Sequence, residues 1–252
     1  MKLTIKYKRC LLSLLMIFNS AIQAEDIEAH MSWAGLQRTG FTVTGIVESV
    51  SVNVGTKVKP GDVLAQLDAA PFTYNLQYCQ AVIDKLQPAI FDAKTELGMA
   101  KELFERTVLS EVELQKIEGV YKTFKAEELM AGSECKLKQW QAERAVLKAQ
   151  TSAYILSSNI YPGMVISIEN TATVAMELVS ATKASATSLI SAKQAQHYNV
   201  GDQLKVVVEG QEIPATIESI IWQGSDMNQF KLSAEFYYVQ KVVPGKPVIL
   251  RF

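Results

Sequence analysis

Apolar residues recur at heptad spacing through one long segment of the chain, and this pattern constrains the fold more than any other. Nine positions keep it without a polar exception: Leu76, Cys79, Ile83, Leu86, Ile90, Ala93, Leu97, Ala100 and Phe104. A seam this narrow is typical of a helix that pairs with another helix in a coiled coil. A helix of about 36 residues would extend about 54 Å at a rise of 1.5 Å per residue.

A second helical segment follows over residues 111–150. A slip in its heptad register is predicted between Glu128 and Ser133. Its apolar seam comprises, before and then after the slip, Leu114, Ile117, Tyr121, Phe124, Met130, Leu137, Trp140 and Leu147. Ser110 followed by Glu113 is a capping-box pattern that marks the start of this helix. We therefore predict an antiparallel helical hairpin that turns near residues 107–110.

The position of this turn predicts which residues of the two helices lie at the same height. Opposed residue numbers should add to about 217–220, which places Pro88 near Gly132, and both residues weaken helices. We predict a bend or local unwinding of both helices there. Cys79 and Cys135 would be offset by about 5–9 Å along the axis. That offset favours two buried thiols over a disulfide, although an oxidising compartment would permit the bond.

Segments with β-strand patterns lie on both sides of the helical region. Residues 45–68 alternate in polarity around a turn that contains Gly55, Gly61 and Asp62. Short strand patterns resume after the hairpin at 161–168, 173–179, 204–208, 213–222, 230–238 and 247–252. We predict an elongated α+β fold with the following parts: a β-domain made of residues 45–68 and 151–179, the hairpin at 69–150 that interrupts it, a small antiparallel β-barrel at 180–252, and one or more N-terminal strands at 25–44 leading from the barrel.

The first 24 residues have the pattern of a secretory signal peptide. A basic start precedes the apolar run CLLSLLMIF at 10–18, which is too short to span a bilayer. We predict that the mature chain is soluble and exported. The leader is either cleaved after Ala24 or kept as an anchor. Cys10 lacks the sequence context of a lipid-acceptor cysteine, so no lipid anchor is evident.

The sequence contains no pattern that predicts catalysis. His30 and His197 are the two histidines, and neither they nor the cysteines have metal-ligand spacing. No phosphate-binding loop or nucleophile motif is present. The net charge of −1 gives no indication of nucleic-acid binding. We therefore expect a protein that is not an enzyme and has no cofactor.

Three motifs, in this order along the chain, carry a family resemblance. The first is the spaced pattern GIVESVSVNVGTKVKPGDVLAQLD at 45–68, the second is AKELFERTVLSEVELQKIE at 100–118, and the third is the pair Val200–Asp202 and Val243–Gly245 in the barrel segment. Together they make the chain similar to the periplasmic adaptor proteins of tripartite efflux systems, also called membrane fusion or HlyD-like proteins, and favour the RND type.

The resemblance implies a location, a fold and a function. The exported chain would lie in the periplasm, peripheral to the inner membrane. The β-domain would be lipoyl-like, with the hairpin inserted where carrier domains expose their modified lysine, and no complete membrane-proximal domain is expected. The protein would join an inner-membrane transporter, of RND or ABC type, to an outer-membrane channel of TolC-like type. Copies of the chain would associate into a ring that forms a conduit.

The family's channel-docking pattern at the hairpin tip is matched only in part. Leu103 and Ser110 fall on family positions, and Arg106 and Leu109 lie beside them, but Met99 occupies the position of a family arginine. Methionine cannot donate the directed hydrogen bonds of a guanidinium group. The resemblance therefore implies a docking tip that either uses other contacts or does not engage a standard channel.

Two alternatives remain open from the sequence. One is a carrier protein with a lipoyl or biotinyl group, although Lys57 and Lys59 lie on a different turn from the one that carriers modify. The other is an exported coiled-coil protein with a purely structural role.

Overall fold

The computed structural model describes residues 26–168, 174–223 and 228–252, so the predicted signal peptide lies outside the described residues. Within these ranges the elements are β1 (Asp26–Trp33), β2 (Gln37–Thr39), β3 (Gly45–Val50), β4 (Lys57–Val58), β5 (Val63–Leu67), α1 (Ala70–Glu105), α2 (Glu111–Arg144), β6 (Val146–Lys148), β7 (Ala153–Ser158), β8 (Val165–Ile166), β9 (Met176–Ser180), β10 (Lys183–Ser191), α3 (Ala192–Ala195), β11 (Gln203–Val208), β12 (Gln211–Trp222), β13 (Gln229–Tyr237) and β14 (Pro247–Arg251).

The two long helices, α1 and α2, form the predicted hairpin, and residues 106–110 connect them. The heptad seam of α1 faces α2. Eight of its nine predicted positions are buried or half-buried, and Phe104 near the tip is exposed. The seam was predictable in α1 because its apolar residues remain in phase with the supercoil for the length of the helix.

The seam of α2 keeps one heptad register, so the predicted register slip is wrong. Its half-buried positions are Leu114, Ile117, Tyr121, Phe124, Glu128, Ala131, Cys135, Lys138 and Ala142. Glu128 can occupy the seam because its carboxylate accepts a hydrogen bond from Gln87 of α1 at 2.9 Å and pairs with Lys125. Of the residues predicted for the second half of this seam, Met130, Leu137 and Trp140 are instead exposed, and Leu147 lies in β6.

Cys79 and Cys135 form a disulfide across the seam, with their Cα atoms 5.2 Å apart, so the expectation of two thiols is wrong. The predicted offset between the two cysteines was too large, because it assumed that the numbers of opposed residues add to about 217–220. The numbers of the paired residues add to 214 for this disulfide and to 215 for the hydrogen bond between Gln87 and Glu128.

Both helices are unbroken at Pro88 and Gly132, so the predicted local unwinding is also wrong, while a bend without unwinding stays a prediction. The revised heights place Pro88 opposite residues 126–127 rather than Gly132. Pro88 and Asp84 are exposed. Water can therefore satisfy the Asp84 carbonyl that lost its partner because proline lacks an N–H.

The strands that flank the hairpin in sequence combine in two four-stranded sheets, ordered β2-β9-β7-β4 and β6-β5-β3-β8. Four of these strands precede the hairpin (β2, β3, β4 and β5), and each pairs with a strand that follows it: β2 with β9, β3 with β8, β4 with β7 and β5 with β6. Their inward side chains form a shared core that includes Val47, Val58, Leu64, Leu67, Ile155, Ile166 and Met176. The β-module is thus split in sequence and continuous in space.

The hairpin leaves the β-module from β5 and returns directly into its neighbour β6. The N–H of Leu67 donates to the carbonyl of Ala145 at 2.9 Å across the base of the hairpin. The module resumes before residue 151, because α2 ends at Arg144 and β6 starts at Val146. The 77 residues between Leu67 and Ala145 therefore form an excursion that begins and ends on adjacent strands.

The remaining strands close into a six-stranded barrel with the order β1-β10-β13-β12-β11-β14. β1 lies within this barrel between β10 and β14, while β2 pairs with β9 of the β-module. The barrel core includes Met31, Val206, Ile217, Leu232 and Leu250. The predicted fold class, a lipoyl-like β-module interrupted by a helical hairpin together with a β-barrel, is confirmed.

Candidate functional site

The tip of the hairpin is a compact turn whose backbone is fixed by hydrogen bonds at both helix ends. At the end of α1 the N–H of Val108 donates to the Leu103 carbonyl at 2.9 Å, and the N–H of Thr107 donates to the Phe104 carbonyl at 2.9 Å. This pair of bonds is a Schellman motif. Thr107 takes the left-handed position, with φ of 58°, that glycine usually occupies.

Ser110 begins α2 with the predicted capping box. Its hydroxyl accepts a hydrogen bond from the Glu113 N–H at 3.3 Å and donates to the Glu113 carboxylate at 2.6 Å. The Ser110 N–H also donates to that carboxylate, at 3.1 Å. These bonds from the Ser110 side chain and backbone hold the pKa of Glu113 below its ordinary value. The Ser110 hydroxyl therefore already has a structural role in ordering the turn.

The predicted docking residues lie in different environments at this tip. Met99 and Leu103 are one helical turn apart on α1 and are exposed, at 60% and 41% of their full surface. Leu109 is half-buried in the turn, and Arg106, the C-cap residue of α1, is exposed. The structure thus brings Met99, Leu103 and Arg106 together at the tip of the hairpin, where Ser110 is the N-cap residue of α2.

Sequence analysis did not assign three further apolar residues to the tip. Phe104, Val108 and Val112 are exposed, Val108 by 71%. With Met99 and Leu103 they make an end surface, which we call the apolar tip (Met99, Leu103, Phe104, Val108 and Val112). Val108 and Val112 fall outside the heptad seam, and a large apolar residue in a tight turn is the signal that could have found Val108.

The turn glycines Gly55 and Gly61 connect the two halves of the β-module. Both have positive φ, 83° and 90°, which a residue with a side chain rarely adopts. The Gly55 N–H donates to the Ile155 carbonyl at 2.8 Å, and the Gly61 N–H donates to the Ala149 carbonyl at 2.9 Å. Asp62 holds the intervening turn, because its carboxylate accepts a hydrogen bond from the Lys59 N–H at 2.7 Å. These residues have a structural role in joining the module.

The described residues contain no group of three His, Cys, Asp or Glu side chains placed to hold a metal ion. His197 is engaged locally, with its Nδ1 2.8 Å from the Lys193 carbonyl. In this part of the chain, moreover, neither long helix nor the short one is apolar enough to cross a membrane.

Comparison with known proteins supports the resemblance at the level of the fold. No family model matches the chain. A curated relative, multidrug resistance protein MdtA from Pectobacterium atrosepticum, is 28% identical over 98 residues, which is 36% of this chain and 24% of MdtA. The aligned region therefore spans about a quarter of that relative.

Solved structures match over most of the chain. The membrane fusion protein Spr0693 from Streptococcus pneumoniae R6 matches with a TM-score of 0.66 and 11% identity, over 90% of this chain and 97% of that one. A MacA–MexA chimeric protein that contains the Pseudomonas aeruginosa MexA α-hairpin domain matches with a TM-score of 0.64 and 17% identity, over 90% and 80%. MacA from Actinobacillus actinomycetemcomitans gives 0.60 and 16%, over 91% and 78%. The chain has the fold of the membrane fusion proteins.

Proposed function

We propose that the protein is a non-enzymatic periplasmic adaptor that links an inner-membrane transporter to an outer-membrane channel in a tripartite export system. One observation carries this proposal. A β-module split in sequence supports a hairpin about 54 Å long at 1.5 Å per residue, and the far end of that hairpin is the apolar tip. A long rod with an adhesive end is suited to joining two separated partners.

The chemistry of the tip supports a mainly apolar contact with the channel. Met99 stands where the family pattern has arginine, and the neighbouring Leu103, Phe104, Val108 and Val112 are exposed. Burying exposed apolar surface contributes about 25 cal/mol per Å². Each single contact would be weak, and several copies of the chain in a ring would add their contacts by avidity. At the other end of the molecule the barrel and β-module would face the transporter, and substrate would pass through the ring unaltered.

The structure gives no support to the carrier alternative. Carriers modify a lysine in a tight turn between two strands, and here the β5–β6 connection is the hairpin itself. Lys57 instead lies in β4, with its ammonium 5.8 Å from the centre of the Tyr154 ring.

The test is recovery of partners from cells of the native host after mild cross-linking, with wild type compared with Leu103→Asp. We expect wild type to recover both an inner-membrane transporter and an outer-membrane channel. Leu103→Asp should lose at least ten-fold of the channel and keep the transporter, because a carboxylate at the tip must be desolvated on contact. Val120→Asp is the matched control: Val120 is also exposed but lies about two helical turns below the apolar tip on α2.

Normal recovery of the channel by Leu103→Asp would contradict docking at the tip. Recovery of neither membrane protein by wild type would overturn the adaptor assignment and favour the structural coiled-coil alternative.

A further inference from the structure

A cavity of about 770 Å³ lies at the base of the hairpin, between the edges of the two sheets of the β-module. One wall is β2 with the residues that follow it, and the other is the end of α2 with β6. The volume is within the range of ligand pockets, about 300–1,000 Å³. We call this space the edge cavity, and its main lining residues are Arg38, Phe41, Glu143, Arg144, Val146 and Lys148.

Positive side chains converge on the edge cavity, although the whole chain has a net charge of −1. In the described part of the chain, neither Arg144 nor Lys148 forms an ion pair with a carboxylate, and the Arg144 guanidinium lies 5.6 Å from the centre of the Trp140 ring. Arg38 pairs with Glu177 at 3.0 Å through its Nε atom. Its side chain is still 64% exposed, so its Nη groups can donate to another acceptor.

Each of these cations has an ordinary use by itself. Arg144 is favourable at the C-terminal end of α2 because of the helix dipole, and Lys148 discourages unwanted pairing at an edge strand. Neither use requires cations from three different elements to line the same cavity. Glu143 also lines it, and its carboxylate accepts a hydrogen bond from Gln139 at 3.2 Å. The excess of positive charge favours an anionic ligand.

The free edge of β6 adds backbone donors to the same cavity. In the described sheet, β6 is an edge strand with β5 as its neighbour. The Ala145 carbonyl and the Ala149 N–H form hydrogen bonds of 2.9 Å on the β5 side. Because successive residues of a strand direct their backbone groups to opposite sides, the N–H groups of Val146 and Lys148 point toward the edge cavity.

The floor of the edge cavity is apolar. Phe41 and Leu147 belong to the core of the β-module, and 6% and 8% of their surfaces remain exposed in the cavity. Val146 and Val174 are half-buried beside them. An inorganic ion would leave this surface in contact with water, whereas a ligand with an apolar part would cover it.

We propose that the edge cavity binds a small amphipathic anion. Its phosphate, sulfonate or carboxylate group contacts Arg144, Lys148 and the free N–H groups of β6, and a guanidinium can hold such a group through two parallel hydrogen bonds. Its apolar part lies over Phe41 and Val146. The inference goes beyond the adaptor role, because it places a ligand site in the β-module itself and needs neither transporter nor channel.

The experiment titrates purified full-length protein with hexyl phosphate and measures the dissociation constant by calorimetry. Inorganic phosphate lacks the apolar tail and hexyltrimethylammonium lacks the negative charge, so we expect both to bind at least ten-fold more weakly. The double variant Arg144→Gln with Lys148→Gln should also bind hexyl phosphate at least ten-fold more weakly, because the desolvated anion loses its charged partners. Lys101→Gln with Lys116→Gln is the matched control, since it removes two exposed positive charges from the hairpin near its tip.

Trp140 reports the position of the ligand without a change of charge. Its ring contacts Arg144, so hexyl phosphate bound at Arg144 should change its fluorescence. Trp140→Phe should remove most of that change and keep the dissociation constant within three-fold of wild type. An unchanged far-UV circular dichroism spectrum shows that each variant is folded.

Vesicles separate the two sources of such an anion. Sedimentation with phosphatidylglycerol vesicles but not with phosphatidylcholine vesicles, lost in Arg144→Gln with Lys148→Gln, supports the site and identifies a lipid headgroup. Binding of hexyl phosphate without sedimentation supports the site and identifies a soluble anion.

Four results would overturn the inference. They are no binding of hexyl phosphate by wild type, equal binding of inorganic phosphate or hexyltrimethylammonium, an equal loss in both double variants, and a fluorescence change that persists in Trp140→Phe. None of them bears on the adaptor role, which the recovery of partners from cells tests separately.

Discussion

The disulfide between Cys79 and Cys135 should be a main source of hairpin stability. The basal seam of α2 is weak, because Lys138 and Ala142 occupy positions that would otherwise bury large apolar side chains. The two cysteines are 56 residues apart in sequence. In the chain-entropy model, closing a loop of this length removes about 14 cal/mol/K from the unfolded chain, which is about 4 kcal/mol at 25 °C.

The perturbation is the double variant Cys79→Ala with Cys135→Ala. Alanine is chosen over serine because it places no hydroxyl group in the seam. Urea unfolding followed by far-UV circular dichroism should show a loss of about 4 kcal/mol in the free energy of unfolding. Wild type in the presence of a reductant should behave like the double variant, and the double variant itself should not respond to the reductant. If the double variant and oxidised wild type unfold at the same urea concentration, the assignment of stability to this cross-link is refuted.

Two further predictions concern the tip and the barrel. Thr107→Gly should raise the free energy of unfolding by about 0.5–1 kcal/mol, because it relieves the positive φ at the Schellman position. Glu105→Gly, within α1, is the control and should lower the free energy of unfolding by about 1 kcal/mol. Urea unfolding of both variants measures the two changes, and a Thr107→Gly variant no more stable than wild type would contradict the prediction. In the barrel, Arg251 forms ion pairs with Asp26 at 2.9 Å and with Glu212 at 2.6 Å. Arg251 is the main cause of the lowered pKa of Asp26. The pKa of Glu212 is also lowered, first by Lys205 and then by Arg251. The stability from these carboxylates is complete above their ordinary pKa values of 3.8 and 4.5 and is lost as pH falls through the lowered ones. Arg251→Gln should therefore reduce the fall in melting temperature between about pH 5 and pH 3, and an unchanged fall would count against this ion-pair network.

The sequence predicted the elements whose side chains had a single reasonable environment. The α1 seam and the capping box of Ser110 and Glu113 were found because their spacing fits one geometry. The second half of the α2 seam was wrongly predicted, because Met130, Leu137 and Trp140 are as apolar as core residues although their side chains are exposed outside the seam. Glu128 and Lys138 hid the true register, since a polar seam position becomes clear only when partners such as Gln87 are visible.

Three strands and the disulfide also escaped sequence analysis. β6 lies in the segment that was predicted to be helical, and neither β7 nor β10 was predicted, because small and serine-rich segments lack a strong alternation of apolar residues. The disulfide was disfavoured because the height of opposed residues depends on where the turn closes. Each residue of error in the assumed sum of opposed residue numbers shifts the predicted height of one helix relative to the other by about 1.5 Å. At the tip, the exposure of Val112 could be recognised only from the geometry of the turn itself.

The central claim is that the β-module is one folding unit and the hairpin is an excursion from it. The most direct test replaces residues 68–144 with Asn-Gly, so that a two-residue turn joins Leu67 to Ala145, which are hydrogen-bonded neighbours at 2.9 Å. The account predicts a shortened protein that unfolds cooperatively, has a β-type circular dichroism spectrum, and gives nuclear Overhauser effects between Ala65 and Leu147. An unfolded or aggregated product, or one without contacts between residues 45–67 and 146–166, would contradict it.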